Sequence, residues 1–179
     1  MVKCIVAGCA RNIMSTWETV RTSLERIFGC LEDYRCVLVE SHSADASFLT
    51  MRQWASEDSR RHVLTLGHSD EPVRTKRIAS ARNAYLAYCE EQGWYSEFPY
   101  LLVVDLDNVL DILPTFQSEL NTCFSRDDWD ALASNRRGRY YDIWALRCSA
   151  LDCSYDCWEM MDKHVGFFNG QILMTVPQR

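Results

Sequence analysis

Runs of β-branched and apolar residues alternate along this chain with runs whose apolar residues recur every three to four positions. No internal repeat or low-complexity linker interrupts the alternation. The segment 100–104 (YLLVV) is apolar almost throughout, as a strand covered on both faces of a parallel sheet should be. These observations predict an α/β fold, a single domain over residues 1–179, with a mostly parallel sheet flanked by helices.

The elements follow in order. Residues 3–9 (KCIVAGC) predict the first strand. Ile13, Trp17, Val20, Leu24, Ile27 and Phe28 recur at helical spacing, and Gly29 is placed to stop that helix. Residues 36–40 (CVLVE) predict a second buried strand that runs into the turn-rich SHSADAS. A helix over 46–56, a short strand over 62–66 and the loop GHSDEP come next. A long helix over 75–91 is closed by Gly93. Then come the central strand 100–104, a helical stretch 112–124, a short strand 131–134 and one or two more strands within 165–176. Ligands of such sheets bind beyond the carboxyl ends of the strands, so the chemistry is expected just after Cys9, Glu40 and Val104.

Composition narrows the function. With 47% hydrophobic and 25% charged residues the chain reads as globular, and its net charge of -6 argues against a nucleic-acid partner, which needs a basic face. No stretch approaches the roughly 20 apolar residues of a membrane span. The amino terminus lacks the long apolar core of a signal peptide and is expected to enter its first strand at once. The nine cysteines are then expected to be reduced thiols of a cytoplasmic protein. Cys148, Cys153 and Cys157 suggest zinc, but their spacing matches no paired CxxC site.

Three features carry chemistry. The first is Asp105-Leu106-Asp107-Asn108, directly after the central strand. Alternate residues of an extended segment point the same way, so Asp105 and Asp107 share one side and repel unless a cation lies between them. Mg²⁺ or Mn²⁺ takes such oxygen ligands and bridges diphosphates. The plainer reading is a turn whose Asp and Asn cap the following helix. The second feature is Arg82, on a wheel face with Ile78, Tyr85, Leu86 and Cys89. An arginine amid an apolar face needs a carboxylate or phosphate partner, unless its stem lies on the core and its head reaches water. Arg74, Lys76 and Arg77 make the approach to this helix basic, suiting either a diphosphate-facing loop or a solvated helix start. The third feature is ALASNRRGRYYDIWALR, in which a basic loop precedes Tyr140, Tyr141, Asp142 and Trp144. Aromatic faces with one carboxylate suit a sugar, and equally a plain aromatic core.

VVDLDNVL resembles the first motif of the haloacid-dehalogenase phosphatases, where the first Asp is the nucleophile and the second a general acid. That family places the motif on its first strand, with a lysine and a further acidic pair well downstream. Here several elements precede it, Lys163 is the one lysine after it, and Asp127-Asp128 follows too soon.

RTKRIASARNAYL, YLLVVDLDNV, DWDALASNRRGRYYDIWALR and HVGFFNGQIL, in this order, resemble the blocks of the fungal capsule-associated α-1,3-mannosyltransferases and their viral and bacterial relatives. CARN at 9–12 and VESHSADAS at 39–47 fit the same family's first and second strand ends. The resemblance spans residues 2–176 and implies a GT-A fold, a Rossmann-like α/β sandwich. It also implies transfer of a sugar from a nucleotide-diphosphate sugar to the hydroxyl of a glycan acceptor. On it, Ala10, Arg11, Glu40, Ser43 and Asp45 would hold the nucleoside, and Arg82 would organise the site near the diphosphate. Asp105, Asp107 and, as a late ligand, His164 would hold Mn²⁺ or Mg²⁺. Tyr141, Asp142 and Trp144 would face sugar or acceptor, and Asn169 would line the sugar pocket. Asp142 and Asp152 are the acids placed to serve as general base if the reaction inverts. The family's enzymes are longer and membrane-anchored, so acceptor-binding elements are expected either to be missing here or to come from a further carboxyl-terminal domain. A non-catalytic nucleotide-sugar-binding domain would carry the same blocks.

Overall fold

The computed structural model describes residues 2–68, 70–106, 115–126 and 128–132. Its elements, in chain order, are β1 (Lys3–Ala10), α1 (Trp17–Gly29), β2 (Asp33–Ser41), α2 (Ser47–Ser56), β3 (Arg61–Leu66), α3 (Arg74–Glu91), a 3-10 turn (Trp94–Ser96), β4 (Tyr100–Asp105) and α4 (Phe116–Phe124). The chain divides into two compact units, Met1–Asp128 and Trp129–Arg179, and every element named here belongs to the first. No helix among the described residues is long and apolar enough to cross a membrane.

The four strands form one all-parallel sheet in the order β3-β2-β1-β4. Strand alternation sends successive side chains to opposite faces, and a separate core forms on each. Cys4, Val6 and Ala10 of β1 meet Tyr34, Cys36 and Leu38 of β2 under α1 and α2. Ile5 and Ala7 meet Val37 and Val39 under α3 and the 3-10 turn. β1 and β2 are covered on both sides, which is why their sequences run apolar rather than alternating.

α1 buries Trp17, Val20, Leu24, Ile27 and Phe28, the spacing its sequence shows. Ile13 lies in the preceding loop rather than in the helix. Gly29 does not stop the helix by a left-handed turn: the helix includes it and ends on Cys30 in right-handed geometry. Gly93 does act in the expected way. Its φ of 68° is the left-handed conformation that reverses the chain after α3.

Three expectations need correction. β4 is an edge strand among the described residues, not a central one. Its α3-side residues Leu101 and Val103 remain 38% and 46% exposed. The buried face of α3 is Ala81, Tyr85 and Cys89; Tyr85 and Cys89 belong to the predicted stripe, but Ala81 takes the place predicted for Arg82. Arg82 therefore stands at the rim of that face and Leu86 is exposed. Ala131 and Leu132 are irregular and exposed, not the start of a strand. The expected helix at 112–124 is seen from Phe116. Residues 112–114, 133–134 and 165–176 lie outside the described residues.

At the amino edge of the sheet a polar network ties β2, β3, α1 and α2 together. Arg61 donates to Glu25 at 3.1 Å and lies over the Trp54 ring at 4.6 Å. Tyr34 donates to Asp58 at 2.8 Å, and Arg60 grips Asp58 through both carboxylate oxygens. This network is far along the strands from the carboxyl edge, where the sequence places the chemistry.

Candidate functional site

The sheet changes direction at β1. The chain moves outward from β1 to β2 and β3, then returns to lay β4 on the other side of β1. Ligands of parallel sheets bind at such a switch point, beyond the carboxyl ends of the strands, here those of β1 and β4. Cys9 pairs with Asp105 in the register of these strands, which puts Asp105 at the carboxyl end of β4, at that switch point.

Asp105 faces the α3 side. Its Oδ1 lies 4.0 Å from an Arg82 guanidinium nitrogen, and both side chains are more than half exposed. An exposed pair at this distance adds little stability, about 0–1 kcal/mol. Its interest is positional: a carboxylate and a guanidinium, both open to solvent, at the switch point of a parallel sheet. Burial pushes the Cys9 thiol up, with Arg82 opposing and Asp105 reinforcing the shift. Burial likewise raises Tyr85, whose surroundings include Cys9, Arg82 and Asp105. Thiol and phenol stay protonated beside the charged pair.

Gly8 shapes the same end of the sheet. A Cβ there would stand 2.9 Å from the Val104 carbonyl oxygen and 2.9 Å from Leu106 Cγ. The bare backbone lets Leu106 fold over β1 into the core, where it is 3% exposed. That anchor fixes the direction in which the chain leaves Asp105.

The loops after β1 and β2 are stitched together. The Asn12 amide donates to Ser43 Oγ at 2.9 Å, and the Ala44 amide donates to Asn12 Oδ1 at 2.7 Å. The Ile13 amide donates to Ser47 Oγ at 2.8 Å, and the Met14 amide to Asp45 Oδ2 at 3.2 Å. Asn12 adopts φ 53°, a left-handed conformation that asparagine visits more readily than most residues. The Ser47 hydroxyl, with the Ser47 and Met14 amides, holds the Asp45 carboxyl below its ordinary range. Glu40 is 2% exposed. One of its oxygens accepts from the Ser43 amide and the other from the Thr65 hydroxyl at 2.9 Å.

Among the predicted nucleoside-holding residues, then, Glu40, Ser43 and Asp45 are engaged in shaping the loops. Ala10 is buried at the end of β1 and Arg11 is exposed just beyond it. Arg74 stands exposed in the first turn of α3. Arg77 donates to the carbonyls of Glu71 at 2.7 Å and Pro72 at 2.9 Å, bracing the loop before that helix. Asp107, Tyr141, Asp142, Trp144, Asp152, His164 and Asn169 lie outside the described residues. Among the described residues no three His, Cys, Asp or Glu side chains gather as metal ligands. Asp105 is the described member of the predicted set. Cys4, Cys9, Cys30, Cys36 and Cys89 are free thiols.

Sequence reasoning missed Asn12, Ser47 and Thr65. Asn12 closes CARN, and Ser47 opens α2 where a capping residue is expected, so both carried a local signal. Thr65 carried none, since its bond to Glu40 exists only once β2 and β3 pair.

No family model, curated protein or solved structure matches this chain.

Proposed function

We propose that this chain is a GT-A-type glycosyltransferase domain that moves a sugar from a nucleotide-diphosphate sugar to an acceptor hydroxyl. The observation that carries this reading is the exposed Asp105 at the carboxyl end of β4, at the sheet's switch point, 4.0 Å from Arg82. Support comes also from the ordered sequence blocks around it. The phosphatase reading fares worse, because Asp105 closes the fourth strand, not the first.

In this reading Asp105 and Asp107 hold Mn²⁺ or Mg²⁺, for which a carboxylate open to solvent at a strand's carboxyl end is a suitable donor. When bound, the ion would neutralise negative charge on the departing diphosphate. Arg82 grips the diphosphate with paired hydrogen bonds and is freed for it by its loose contact with Asp105. The latch of Asn12, Ser43, Asp45 and Ser47 keeps the β1 and β2 loops in a fixed shape, against which the nucleoside would lie. Asp142 or Asp152 serves as base toward the acceptor hydroxyl in an inverting reaction.

Calorimetric titration with UDP, GDP and their sugars, with and without Mn²⁺, tests the proposal. Metal-dependent binding of one nucleotide, lost in Asp105→Ala, is expected. Binding of none of them by folded protein would overturn it. Phosphate release from sugar phosphates, abolished in Asp105→Asn, would favour the phosphatase.

A further inference from the structure

His42 is the first residue after β2, and His68 is the second after β3. These strands are neighbours, with Ser41 opposite Leu66, so both rings emerge on the same stretch of the carboxyl edge. His68 Nδ1 lies 3.2 Å from His42 Nε2. On its other side, His68 Nε2 lies 2.9 Å from Asp70 Oδ1. His42 has φ 52°, a costly backbone conformation for a residue of its size. The bonds of the Ser43 amide to Glu40 and of the Ala44 amide to Asn12 hold it there.

From this geometry we propose that His42 and His68 bind one divalent transition-metal ion of the zinc, nickel or copper class. Asp70 serves as the carboxylate that orients His68. Three observations converge. A carboxylate against Nε2 keeps the His68 proton on that nitrogen, so the Nδ1 lone pair faces His42. Carboxylate–histidine pairs of this kind are how proteins aim imidazole at a metal. Two nitrogens at about 2.0–2.1 Å from a tetrahedral ion stand roughly 3.3 Å apart, close to the separation found here. The strained His42 backbone brings the second nitrogen to that place.

Without the ion, His42 donates from Nε2 to His68 Nδ1. On binding, that proton exchanges through solvent to His42 Nδ1, so no net proton is released once both imidazoles are neutral. Two protein nitrogens leave the other positions to water or to an external ligand. Imidazole nitrogen discriminates against Mg²⁺ and Mn²⁺, so this site is chemically separate from one built on Asp105. It does not depend on the glycosyltransferase reading.

The test is a Zn²⁺ titration of the full chain at neutral pH with excess Mg²⁺, read through the ring nitrogens of ¹⁵N-labelled histidine. The expected result is a joint shift of the His42 and His68 signals that saturates at one equivalent, while the partly buried His62 stays still. Asp70→Asn should weaken binding about tenfold. His68→Ala and His42→Asn should abolish the response of the remaining ring; asparagine tolerates the left-handed backbone and keeps the loop in shape. Asp70 is 98% exposed, so its variant tests the proposal even if a histidine variant fails to fold. Failure of Zn²⁺ to move both rings, or wild-type affinity in Asp70→Asn, overturns the proposal. Equal shifts with Mg²⁺ alone would also overturn it.

Discussion

Gly8 bears on the whole carboxyl edge because it is the place where β1 lets β4 come close. A methyl group there would meet both a backbone oxygen and Leu106, and only Leu106 can yield. Gly8→Ala should therefore destabilise by about 1–3 kcal/mol. In urea unfolding this appears as a lower midpoint with an unchanged slope. Arg82 is a residue of a different kind. Half exposed and loosely paired, it contributes little to stability. Arg82→Ala should leave the melting temperature within a degree or two but weaken nucleotide-diphosphate binding at least tenfold by calorimetry. Arg82→Lys should fall between, since an ammonium keeps the charge but loses the two-pronged grip. A large loss of stability in Arg82→Ala would place the residue in the scaffold instead.

The loop latch is a property of two elements at once. α2 begins with no side-chain cap of its own at Ala46, and Ser47 turns its hydroxyl outward to the Ile13 amide of the β1 loop. Ser47 is 1% exposed, so Ser47→Ala leaves that amide without its partner in a dry site. The expected cost is about 1–3 kcal/mol. Amide hydrogen exchange should speed at Ile13 and Met14 before it does at β1. α3 is held differently, by the stripe Ala81, Tyr85 and Cys89 and by the reversal at Gly93. Gly93→Ala forces a Cβ into left-handed backbone and should cost roughly 1–2 kcal/mol, read as a lowered thermal midpoint. There is open space around Gly93, so no steric clash adds to that figure.

Across the whole molecule, acid is the condition that should unfold this fold first. Burial, and after it the charge of Arg35, holds His62 below its ordinary pKa of 6.5. The unfolded chain then binds more protons than the folded one, so this contribution is complete above about pH 6.5 and erodes as pH falls below it. Arg60, gripping Asp58, holds that carboxyl far below its ordinary 3.8. Its contribution is complete above about pH 4 and drains away on further acidification. A pH series of thermal melts should thus fall in two stages. His62→Gln should remove the upper stage and Asp58→Asn the lower. The alternation of strands and helices, and most helix faces, were legible in the sequence because strand and helix periods are local and hydrophobic burial enforces them. Asp105 was legible as well, since a carboxylate after four apolar residues marks a strand end whatever the neighbours. Other features were decided only by tertiary structure. Arg82 lies at the rim of α3's buried face because the helix settled on Ala81, Tyr85 and Cys89, a rotation that the packing partners Ile5, Ala7 and Val39 set. β4 lies at an edge among the described strands because strand order is a matter of topology, which a run such as YLLVV cannot encode. Glu40 with Thr65, Asn12 with Ser43 and His42 with His68 are long-range pairings, each between segments that meet only after β1, β2 and β3 align. Local sequence determines what each segment tends to become; contact between distant segments determines which polar groups find one another.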